Sequence, residues 1–443
     1  MGKFFGTDGI RGVANRDLTC ELALNAGRAC AYFFKNDNNF KLFLGRDTRI
    51  SGSMLESAFA AGAMSVGCNV ISGGILPTPA VSLLVKELNC NFGVVISASH
   101  NPVQDNGIKL FSGDGYKLTD SQELEIERLM TINFNELPIG TEIGSFKFDD
   151  SSKLRYVEHI KQNISCDLSG LKIALDCAYG ASGAIAPELL KDMGAEVFSI
   201  NTELNGAHIN VNCGSTNMEE LRKLTLSKKC DLGIAFDGDA DRCLMVDENG
   251  DIIDGDKLIA ISAVYLKEYG LLNNNKVVTT VMSNMGLEIA LKEQGIELIR
   301  AGVGDRYVIE KMKEFGAVIG GEQSGHIILH NFNTTGDGPL TACFISSVLK
   351  KKKKRLSELV SIVKQLPQVL INVKAKNKNQ LNDDEQIVSA IERCEKSFAG
   401  RGRILVRPSG TEALIRVMTE GENEDAINEA AKKIASLIEE RLN

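Results

Sequence analysis

The 443-residue sequence lacks any pair of cysteines close enough to form a zinc or redox motif. Its eleven cysteines are spread along the chain, and no two of them lie closer than ten residues. Their odd number argues against a disulfide framework of the kind found in secreted proteins. This spacing excludes CxxC sites and leads us to expect a reducing, cytoplasmic environment.

The sequence also lacks long hydrophobic runs and an excess of positive charge. No apolar run is long enough to cross a membrane, and the start, MGKFFGTDGIRG, lacks the hydrophobic core of a signal peptide. A net charge of −8 gives no global basic footprint for nucleic acid. The one basic run, Lys350–Arg355, is better explained as a solvated helix end. We therefore expect neither a membrane nor a nucleic acid as partner.

Three common catalytic motifs are missing as well. The sequence contains no Walker A pattern, no complete GxGxxG and no GxSxG. The first two position phosphates against a helix N-terminus, and the third positions a nucleophilic serine. Nucleotide-binding and serine-hydrolase functions therefore have no motif support.

What the sequence does contain is an alternation of strand-like and helix-like segments over most of its length. The chain is too long for one hydrophobic core, and this alternation is typical of α/β domains. We predict four domains around a central cleft, of which three are related α/β domains with mixed, mainly parallel sheets. The fourth is a smaller C-terminal α+β domain. The predicted ranges are 1–150, 151–252, 253–366 and 367–443.

The C-terminal segment shows the clearest helical periodicity. Two strand-like segments, QVLINVKA and GRILVRPSGTEALIRVMTEG, precede a final amphipathic helix. Spacings of three and four residues place its apolar side chains on one face, namely Ile427, Ala431, Ile434 and Ile438. We expect this face to cover the small sheet.

Each predicted domain contains a strand that runs into a loop of small and polar residues. The four segments are FGVVIS-ASHNP, CDLGIAF-DGDADR, GAVIG-GEQSGH and RILV-RPSGTE. In open α/β sheets, ligands bind outside the carboxyl ends of the strands. We therefore expect one loop from each domain to face the common cleft.

The DGDADR loop carries the strongest chemical signal. Asp237, Asp239 and Asp241 alternate with small residues, so in a near-extended loop their side chains share one side. Three converging carboxylates repel one another, and a hard divalent cation neutralises them. An exposed acidic turn is the structural alternative, but the apolar strand before the loop disfavours it. We predict a Mg²⁺ site with room for a phosphate oxygen.

The SASHNP loop places Ser99 at a strand end. A serine close to Mg²⁺ can carry a phosphoryl group. Neighbours in an extended chain point to opposite sides, which makes His100 a poor general base for Ser99. We interpret DNGIK (105–109) as a turn that returns Lys109 toward the loop. Lys109 could exchange protons if its pKa is depressed, although it could equally be an ordinary surface lysine.

The other two loops offer groups for binding. GEQSGH presents Glu322, Ser324 and His326, and its carboxylate and hydroxyl suit sugar hydroxyls, although a simple turn explains the motif almost as well. RPSGTE fits an anion-binding nest for phosphate, formed by Arg407, Ser409, Gly410 and Thr411.

Three arginines nearer the start add positive charge. Arg11 lies in a glycine-rich loop and could approach a phosphate. We interpret Arg46 and Arg49, in the segment GRDTR, as structural ion-pair partners.

The four loops, in this order and at this spacing, resemble those of the α-D-phosphohexomutase family, and the resemblance runs essentially end to end. FGTDGIRG, SASHNP and GEQSGH are typical of its bacterial branch that acts on glucosamine phosphates. Gln323 stands where the glucose and mannose branches more often have Met. Tyr179 is a departure, because the family pattern has Asn there.

The resemblance implies a reaction. Ser99 would be a phosphoserine that donates its phosphate to glucosamine 6-phosphate, giving a 1,6-bisphosphate, and then recovers the other phosphate. The product, glucosamine 1-phosphate, is a precursor of UDP-N-acetylglucosamine and of the cell wall. The implied cofactors are one Mg²⁺ per chain and a sugar 1,6-bisphosphate as primer. A homodimer and movement of the C-terminal domain are further expectations.

The resemblance also implies roles for the site residues. Mg²⁺ would bind the phosphoserine and the three aspartates, Lys109 and His100 would serve proton transfer, and Arg11 would stabilise charge. Sugar binding would fall to Arg242, Glu322, Ser324 and His326. The phosphate that is not reacting would be held by Arg407, Ser409, Gly410 and Thr411.

Three alternatives stay open. A phosphoglucomutase or phosphomannomutase would use the same loops on a neutral sugar. A metal-dependent phosphatase would pass the phosphate from Ser99 to water, but it would not need a second phosphate site at Arg407. A non-catalytic sugar-phosphate-binding protein would not need Ser99 beside three aspartates.

Overall fold

The computed structural model describes residues 4–6, 8–36, 40–134, 136–409 and 413–443. The chain forms two compact units. The first contains residues 1–282 and 296–361, and the second contains residues 283–295 and 362–443.

The first unit begins with a seven-stranded sheet in the order β1-β2-β6-β5-β3-β4-β7. Its strands are β1 (Phe5–Gly6), β2 (Gly9–Val13), β3 (Lys41–Arg46), β4 (Asn69–Ile75), β5 (Phe92–Ile96), β6 (Asp105–Ser112) and β7 (Phe146–Phe148). β5, β3, β4 and β7 are parallel to one another, whereas β6 is antiparallel to both β5 and β2. The accompanying helices are α1 (Cys20–Phe34), α2 (Gly52–Met64), α3 (Thr78–Glu87), α4 (Asp120–Met130) and α5 (Ser152–Asn163).

A five-stranded sheet follows in the same unit, in the order β12-β11-β10-β8-β9. Its strands are β8 (Lys172–Asp176), β9 (Glu196–Ile200), β10 (Leu232–Phe236), β11 (Cys243–Asp247) and β12 (Ile252–Ile253). β8, β9 and β10 are parallel, and β11 returns antiparallel to β10. The helices of this segment are α6 (Ala186–Asp192) and α7 (Glu219–Lys228).

The third sheet has four strands in the order β14-β13-β15-β16. They are β13 (Lys276–Thr280), β14 (Glu297–Ala301), β15 (Ile319–Gly321) and β16 (Ile327–Leu329). The helices along this segment are α8 (Gly255–Glu268), α9 (Met285–Glu293), α10 (Asp305–Phe315), α11 (Gly338–Lys352) and α12 (Leu356–Val360). The first three lysines of the basic run, Lys350–Lys352, form the last turn of α11, and the rest of the run follows the helix end.

The second unit is built on an antiparallel three-stranded sheet in the order β17-β19-β18. It contains β17 (Gln368–Lys374), α13 (Glu385–Ser397), β18 (Gly402–Pro408), β19 (Leu414–Gly421) and α14 (Glu424–Leu442), together with α9. The predicted apolar face of α14 is buried, including all four residues named from the sequence. Five short 3-10 helices complete the described elements: Gly140–Glu142, Ala181–Ala184, Gly214–Thr216, Asn273–Asn275 and Lys378–Gln380.

The predicted α/β class is confirmed: three mixed sheets with parallel strands are followed by a small C-terminal sheet. Every residue of β5 and β10 is buried, which agrees with their continuous apolar sequences FGVVI and LGIAF. Both strands end directly before a polar loop, so the site is carried by rigid elements. Among the described residues, no helix has the length and apolar character needed to span a membrane.

α1 and α2 cross at two glycines whose missing side chains let the backbones touch. A Cβ on Gly27 would lie 2.1 Å from the Phe59 carbonyl oxygen, and one on Gly62 would lie 2.0 Å from that of Leu24. We expect Gly27→Ala to lower the free energy of unfolding by about 1–3 kcal/mol, because the helices must move apart. Urea unfolding would measure the change.

The control for this prediction is a substitution at an exposed position on α2, where helix propensity alone determines the change in stability. Ala61→Gly should cost about 1 kcal/mol. A Gly27→Ala variant that was more stable than the parent would contradict the close helix crossing, since propensity would then outweigh any clash.

Two consecutive residues without the freedom of glycine adopt left-handed backbone conformations after β8. Ala178 has φ 53° and Tyr179 has φ 52°. Asn tolerates this region far better than an aromatic residue does. Tyr179 therefore costs stability at a position where the family pattern has Asn. We expect Tyr179→Asn to raise the free energy of unfolding by about 0.5–1 kcal/mol.

Tyr179→Phe is the matched control, because it keeps both the ring next to His208 and the backbone strain. It should change stability by less than about 0.5 kcal/mol. Thermal unfolding of both variants would decide, and a Tyr179→Asn variant less stable than Tyr179→Phe would contradict the strain argument.

Candidate active site

Ser99 lies just beyond the end of β5 and is 1% exposed. Its hydroxyl donates a 2.6 Å hydrogen bond to Asp237 Oδ2, in the loop after β10. Its backbone is left-handed, with φ 51°, which is uncommon for a residue with a side chain. The two loops with the strongest sequence signals therefore meet at this serine.

The three aspartates of DGDADR converge, as the sequence predicted. Asp237, Asp239 and Asp241 are buried, and one carboxylate oxygen from each lies within 4.8 Å of the others. The predicted near-extended loop is wrong, however. The Ala240 N–H donates to the Asp237 carbonyl at 3.1 Å, and Ala240 has φ 55°, so a tight turn brings the carboxylates together.

The triad has the charge and the free lone pairs that a cation requires. Burial and the two neighbouring carboxylates raise the pKa of Asp237 to about 8. Asp239 Oδ1 and Asp241 Oδ1 are buried and have no hydrogen-bond partner among the described residues. Buried carboxylate oxygens without partners are costly, and oxygen ligands of this type suit a hard divalent cation.

Lys109 reaches the triad from a strand. The predicted turn at DNGIK is wrong, because residues 105–109 begin β6, which pairs with β5 and β2. Lys109 Nζ lies 2.7 Å from Asp239 Oδ2 and 3.3 Å from Asp241 Oδ2. Burial disfavours its charge, but the surrounding carboxylates prevail and raise the pKa of Lys109 well above its usual value. In this arrangement Lys109 is a cation rather than a lysine with a depressed pKa.

His100 lies closer to Ser99 than the sequence indicated. His100 Nδ1 is 3.3 Å from Ser99 Oγ, so the expectation that the two side chains diverge is wrong. The left-handed backbone at Ser99 breaks the extended geometry on which that expectation depended. Burial, together with the positive charges of Arg242 and Arg11, lowers the pKa of His100 to about 4.

Asp8 was not singled out from the sequence and links several cations of the site. Its carboxylate pairs with Arg11 and Lys117, and it lies 3.4 Å from Lys109 Nζ. Burial opposes its charge, but the three cations hold the pKa of Asp8 well below its usual range. Arg11 also donates to Asn101 Oδ1 at 3.2 Å, which places it beside the serine loop. The segment FGTDGIRG was the available signal for Asp8.

Thr78 and His326 contact aspartates of the DGDADR loop from two other parts of the chain. Thr78 Oγ1, at the start of α3, donates to Asp239 Oδ2 at 2.6 Å. His326 is 4% exposed and lies 3.7 Å from Asp241 Oδ2 and 3.4 Å from Asp305 Oδ2. Burial disfavours its charge, but the two carboxylates raise the pKa of His326 to about 10. The ring predicted to face the sugar is thus engaged with carboxylates.

Glu322 and Ser324, in the GEQSGH loop, lie side by side. Ser324 Oγ donates to Glu322 Oε2 at 3.1 Å, across a turn closed by the Gly325 N–H. Gln323 donates to Asp254 Oδ2 at 3.1 Å, and Asp254 also caps α8. Arg242 Nε has no hydrogen-bond partner among the described residues and lies 4.0 Å from Asp241 Oδ1.

In the second unit, cations gather where β18 ends. Arg407 lies directly opposite Arg416 on β19. Like charges opposite one another destabilise a sheet, and burial together with Arg416 lowers the pKa of Arg407. Lys378 Nζ donates to the Ser409 carbonyl at 2.6 Å. Gly410 and Thr411 lie outside the described residues.

Comparisons with known proteins cover nearly the whole chain. Models of the phosphoglucomutase/phosphomannomutase family match in four segments: alpha/beta/alpha domain I at 2–136, domain II at 154–250, domain III at 254–366 and the C-terminal domain at 370–437. The phosphoglucosamine mutase of Thermoanaerobacter sp. (strain X514) is 54% identical over 447 residues, and that of Clostridium tetani is 52% identical over 446. Both alignments span 100% of each chain.

Solved structures share the fold at lower identity. A phosphoglucomutase/phosphomannomutase family protein from Burkholderia thailandensis has a TM-score of 0.84 and 23% identity, covering 99% of this chain and 98% of its own. Aspergillus fumigatus N-acetylphosphoglucosamine mutase, in complex with GlcNAc-6P and magnesium, has a TM-score of 0.70 and 18% identity, covering 100% and 97%.

Proposed function

The chain belongs to the bacterial phosphoglucosamine mutases of the phosphoglucomutase/phosphomannomutase family, and we propose that Ser99 carries the phosphoryl group they transfer. The protein is an intramolecular phosphotransferase that interconverts glucosamine 6-phosphate and glucosamine 1-phosphate. The observation that carries the proposal is the 2.6 Å contact of Ser99 Oγ with Asp237, inside a buried cluster of three carboxylates.

We propose that the three aspartates and the phosphorylated Ser99 hold one Mg²⁺. The orphaned oxygens of Asp239 and Asp241 support this assignment, and so does the magnesium in the related fungal complex. When bound, the ion would neutralise charge that develops on the transferring phosphoryl group. Thr78 and His326 fix the orientation of two of the aspartates.

The proposed reaction consists of two phosphoryl transfers. The bond from Ser99 Oγ to phosphorus breaks as a sugar hydroxyl oxygen bonds to the same phosphorus, giving a sugar 1,6-bisphosphate. The second step breaks the other phosphate ester of that intermediate and restores phosphoserine. A trace of bisphosphate therefore primes the unphosphorylated enzyme.

The proton of the attacking hydroxyl requires an acceptor, and the leaving oxygen requires a donor. His100 and Lys109 stay the proposed proton-transfer groups. His100 Nδ1 lies 3.3 Å from Ser99 Oγ, and its lowered pKa leaves it neutral and able to accept a proton. Lys109 is protonated beside Asp239 and Asp241, so it would act as a donor and not as an acceptor. Arg11 is too basic to accept a proton readily and would stabilise negative charge instead.

Binding of the sugar phosphate is assigned to the remaining loops. Glu322, Ser324 and His326 would bind the sugar, with Arg242 beside them. His326 also lies 3.7 Å from Asp241 Oδ2 and would help to orient that carboxylate. Arg407 and Ser409, with Gly410 and Thr411, would hold the phosphate that is not reacting. The cations at the end of β18, Arg407 and Lys378, suit an anion there.

Several further expectations stay predictions. They are the four domain ranges drawn from the sequence, a cytoplasmic location, a homodimer, and a place on the route to UDP-N-acetylglucosamine. A phosphoglucomutase or phosphomannomutase activity on neutral sugars is the alternative substrate preference.

³¹P NMR of the purified protein with Mg²⁺ and a trace of glucose 1,6-bisphosphate tests the function. Glucosamine 6-phosphate and glucose 6-phosphate are supplied in separate samples. A 1-phosphate signal that grows much faster from the amino sugar is the expected result. Faster growth from glucose would overturn the substrate assignment, and release of inorganic phosphate alone would indicate a phosphatase.

A further inference from the structure

Arg49 is a fully buried arginine whose side chain contacts the backbone of the SASHNP segment that carries Ser99, called here the serine loop. Its side chain and that of its partner Asp47 are both 0% exposed. We propose that the Arg49–Asp47 pair is a positioning device that holds Ser99 in its reactive conformation. This inference rests on the proposed function, because it assigns a role in phosphoryl transfer through Ser99.

The guanidinium of Arg49 uses all five of its N–H donors. Nε donates to Asp47 Oδ2 at 3.0 Å. The other four donors go to backbone carbonyls of the serine loop and of the first residue of β6, namely those of Ser99 at 3.0 Å, Asn101 at 2.8 Å, Pro102 at 2.6 Å and Asp105 at 2.9 Å. The loop thus wraps around one planar group, and only arginine presents donors in this fixed fork.

Asp47 completes the hold on Ser99 from the other side. Its Oδ2 accepts from Ser97 Oγ at 2.6 Å, and Ser97 Oγ accepts from the Ser99 N–H at 2.9 Å. The pair therefore fixes the Ser99 carbonyl directly through Arg49 and the Ser99 N–H through Ser97. Both backbone groups that flank the left-handed φ of 51° are held in place.

A second donor reinforces the same carbonyl. Asn210 Nδ2 donates to the Ser99 carbonyl at 2.8 Å, from the loop that follows β9. Gly238 leaves room for this contact, because a Cβ there would lie 2.8 Å from the Ser99 carbonyl oxygen. The serine is consequently positioned by backbone contacts that leave its hydroxyl free to face Asp237.

Arg46, three residues earlier in the same GRDTR segment, provides the contrast. Its Nε pairs with Glu56 Oε2 at 2.8 Å, and Nη1 donates to the Asp47 carbonyl at 3.3 Å. None of the side-chain hydrogen bonds of Arg46 to described residues reaches residues 97–105. Both arginines were interpreted from the sequence as structural ion-pair partners, which both are, but only Arg49 contacts the nucleophile's loop.

The test compares Arg49→Lys with Arg46→Lys in the full-length enzyme. Each variant is assayed for kcat and KM with glucosamine 6-phosphate, and for the rate at which glucose 1,6-bisphosphate phosphorylates Ser99, followed by rapid quench and intact mass. We expect Arg49→Lys to lower kcat and the phosphorylation rate about 100-fold, with KM changed less than about threefold. Arg46→Lys should change all three by less than about threefold.

Ser97→Ala provides the second variant, because it leaves the buried ion pair intact and removes only the link to the Ser99 N–H. It should lower the phosphorylation rate about tenfold with KM unchanged. If Arg49→Lys does not fold, judged by circular dichroism, the Ser97→Ala rates decide. Normal rates in a folded Arg49→Lys or, failing that, in Ser97→Ala would overturn the proposal.

The wild-type enzyme separates this proposal from the proposed function. If the wild type itself acquires no phosphate on Ser99, the phosphoserine mechanism fails, and the role of Arg49 fails with it. If the wild type is phosphorylated and the Arg49→Lys variant matches it, only the positioning role fails. If kcat and the phosphorylation rate fall equally in Arg49→Lys and Arg46→Lys, the cause is general destabilisation. That result would likewise overturn the specific role of Arg49.

Discussion

Ser99→Ala is expected to lower mutase turnover by at least about a thousandfold, because the proposed transfer passes the phosphoryl group through the Ser99 oxygen. Binding of glucosamine 6-phosphate should change little, since the sugar and phosphate contacts come from other loops. Removing the Ser99 hydroxyl deletes its hydrogen bond to Asp237 and its 3.3 Å contact with His100 Nδ1. The coupled rate of 1-phosphate formation and calorimetric binding of the substrate would measure the two effects.

Ser112→Ala is a suitable control, because Ser112 ends the strand that carries Lys109 but lies away from the triad. Its hydroxyl contacts only Asp114 and Tyr116 among the described residues. The turnover of the Ser112→Ala enzyme should stay within about twofold of that of the wild type. Full activity in Ser99→Ala, with this control also active, would contradict a phosphoserine mechanism.

Asp237→Asn is expected to have the second-largest effect: it should lower activity, and the sign of its effect on stability should depend on whether Mg²⁺ is present. Loss of one metal-binding carboxylate should lower turnover about 100-fold or more. Mg²⁺ at a hundred times its Kd should stabilise the wild type by about 2.7 kcal/mol, and the variant should lose most of this gain. Thermal unfolding with and without Mg²⁺ would measure it.

Without metal, the same substitution should stabilise the fold. Burial and its neighbours raise the pKa of Asp237 to about 8, from an ordinary value of 3.8. A raised pKa means that the ionised carboxylate is disfavoured in the folded state, so stability declines as pH increases from about 4 to about 8. In EDTA, Asp237→Asn should therefore unfold at a higher temperature than the wild type near pH 8.

Asp150→Asn, an exposed position, controls for the change in net charge. It should leave both turnover and the Mg²⁺ dependence unchanged within about twofold. A variant Asp237→Asn that kept its full stabilisation by Mg²⁺ would place the metal elsewhere.

The sequence was most informative where a continuous apolar strand ends in a polar loop. The apolar runs of β5 and β10 are fully buried strands, and each ends where the polar residues begin. The sequence therefore located Ser99 and Asp237 in the loops after the carboxyl ends of these strands. The period of α14 likewise predicted its buried face. These predictions succeeded because they depend on local apolar runs and helical periodicity, which need no knowledge of distant residues.

The wrong predictions concerned backbone conformations that cannot be inferred from the residue types. Left-handed conformations at Ser99 and Ala240 turned a predicted divergence of His100 into a contact and a predicted extended loop into a turn. Residues 105–109 look like a turn locally, but pairing with strands on both sides makes them part of β6.

The residues that the sequence did not reveal act across long separations. Asp8 meets Lys109, and Thr78 meets Asp239 from a position 161 residues earlier. Arg49 is 50 residues from Ser99. Asp8 lies in the motif FGTDGIRG and Arg49 in GRDTR, but neither motif indicates which distant residue its side chain contacts, so only the folded structure brings these groups together.

The most direct test of the central claim follows a labelled phosphate on Ser99. The enzyme is phosphorylated with ³²P-labelled glucose 1,6-bisphosphate, freed of excess reagent and mixed with unlabelled glucosamine 6-phosphate and Mg²⁺. We predict that the label leaves Ser99 within one turnover and appears in glucosamine phosphates, while a Ser99→Ala enzyme acquires no label. Label that stays on the protein, or that is released only as inorganic phosphate, would contradict phosphoryl transfer between Ser99 and the sugar.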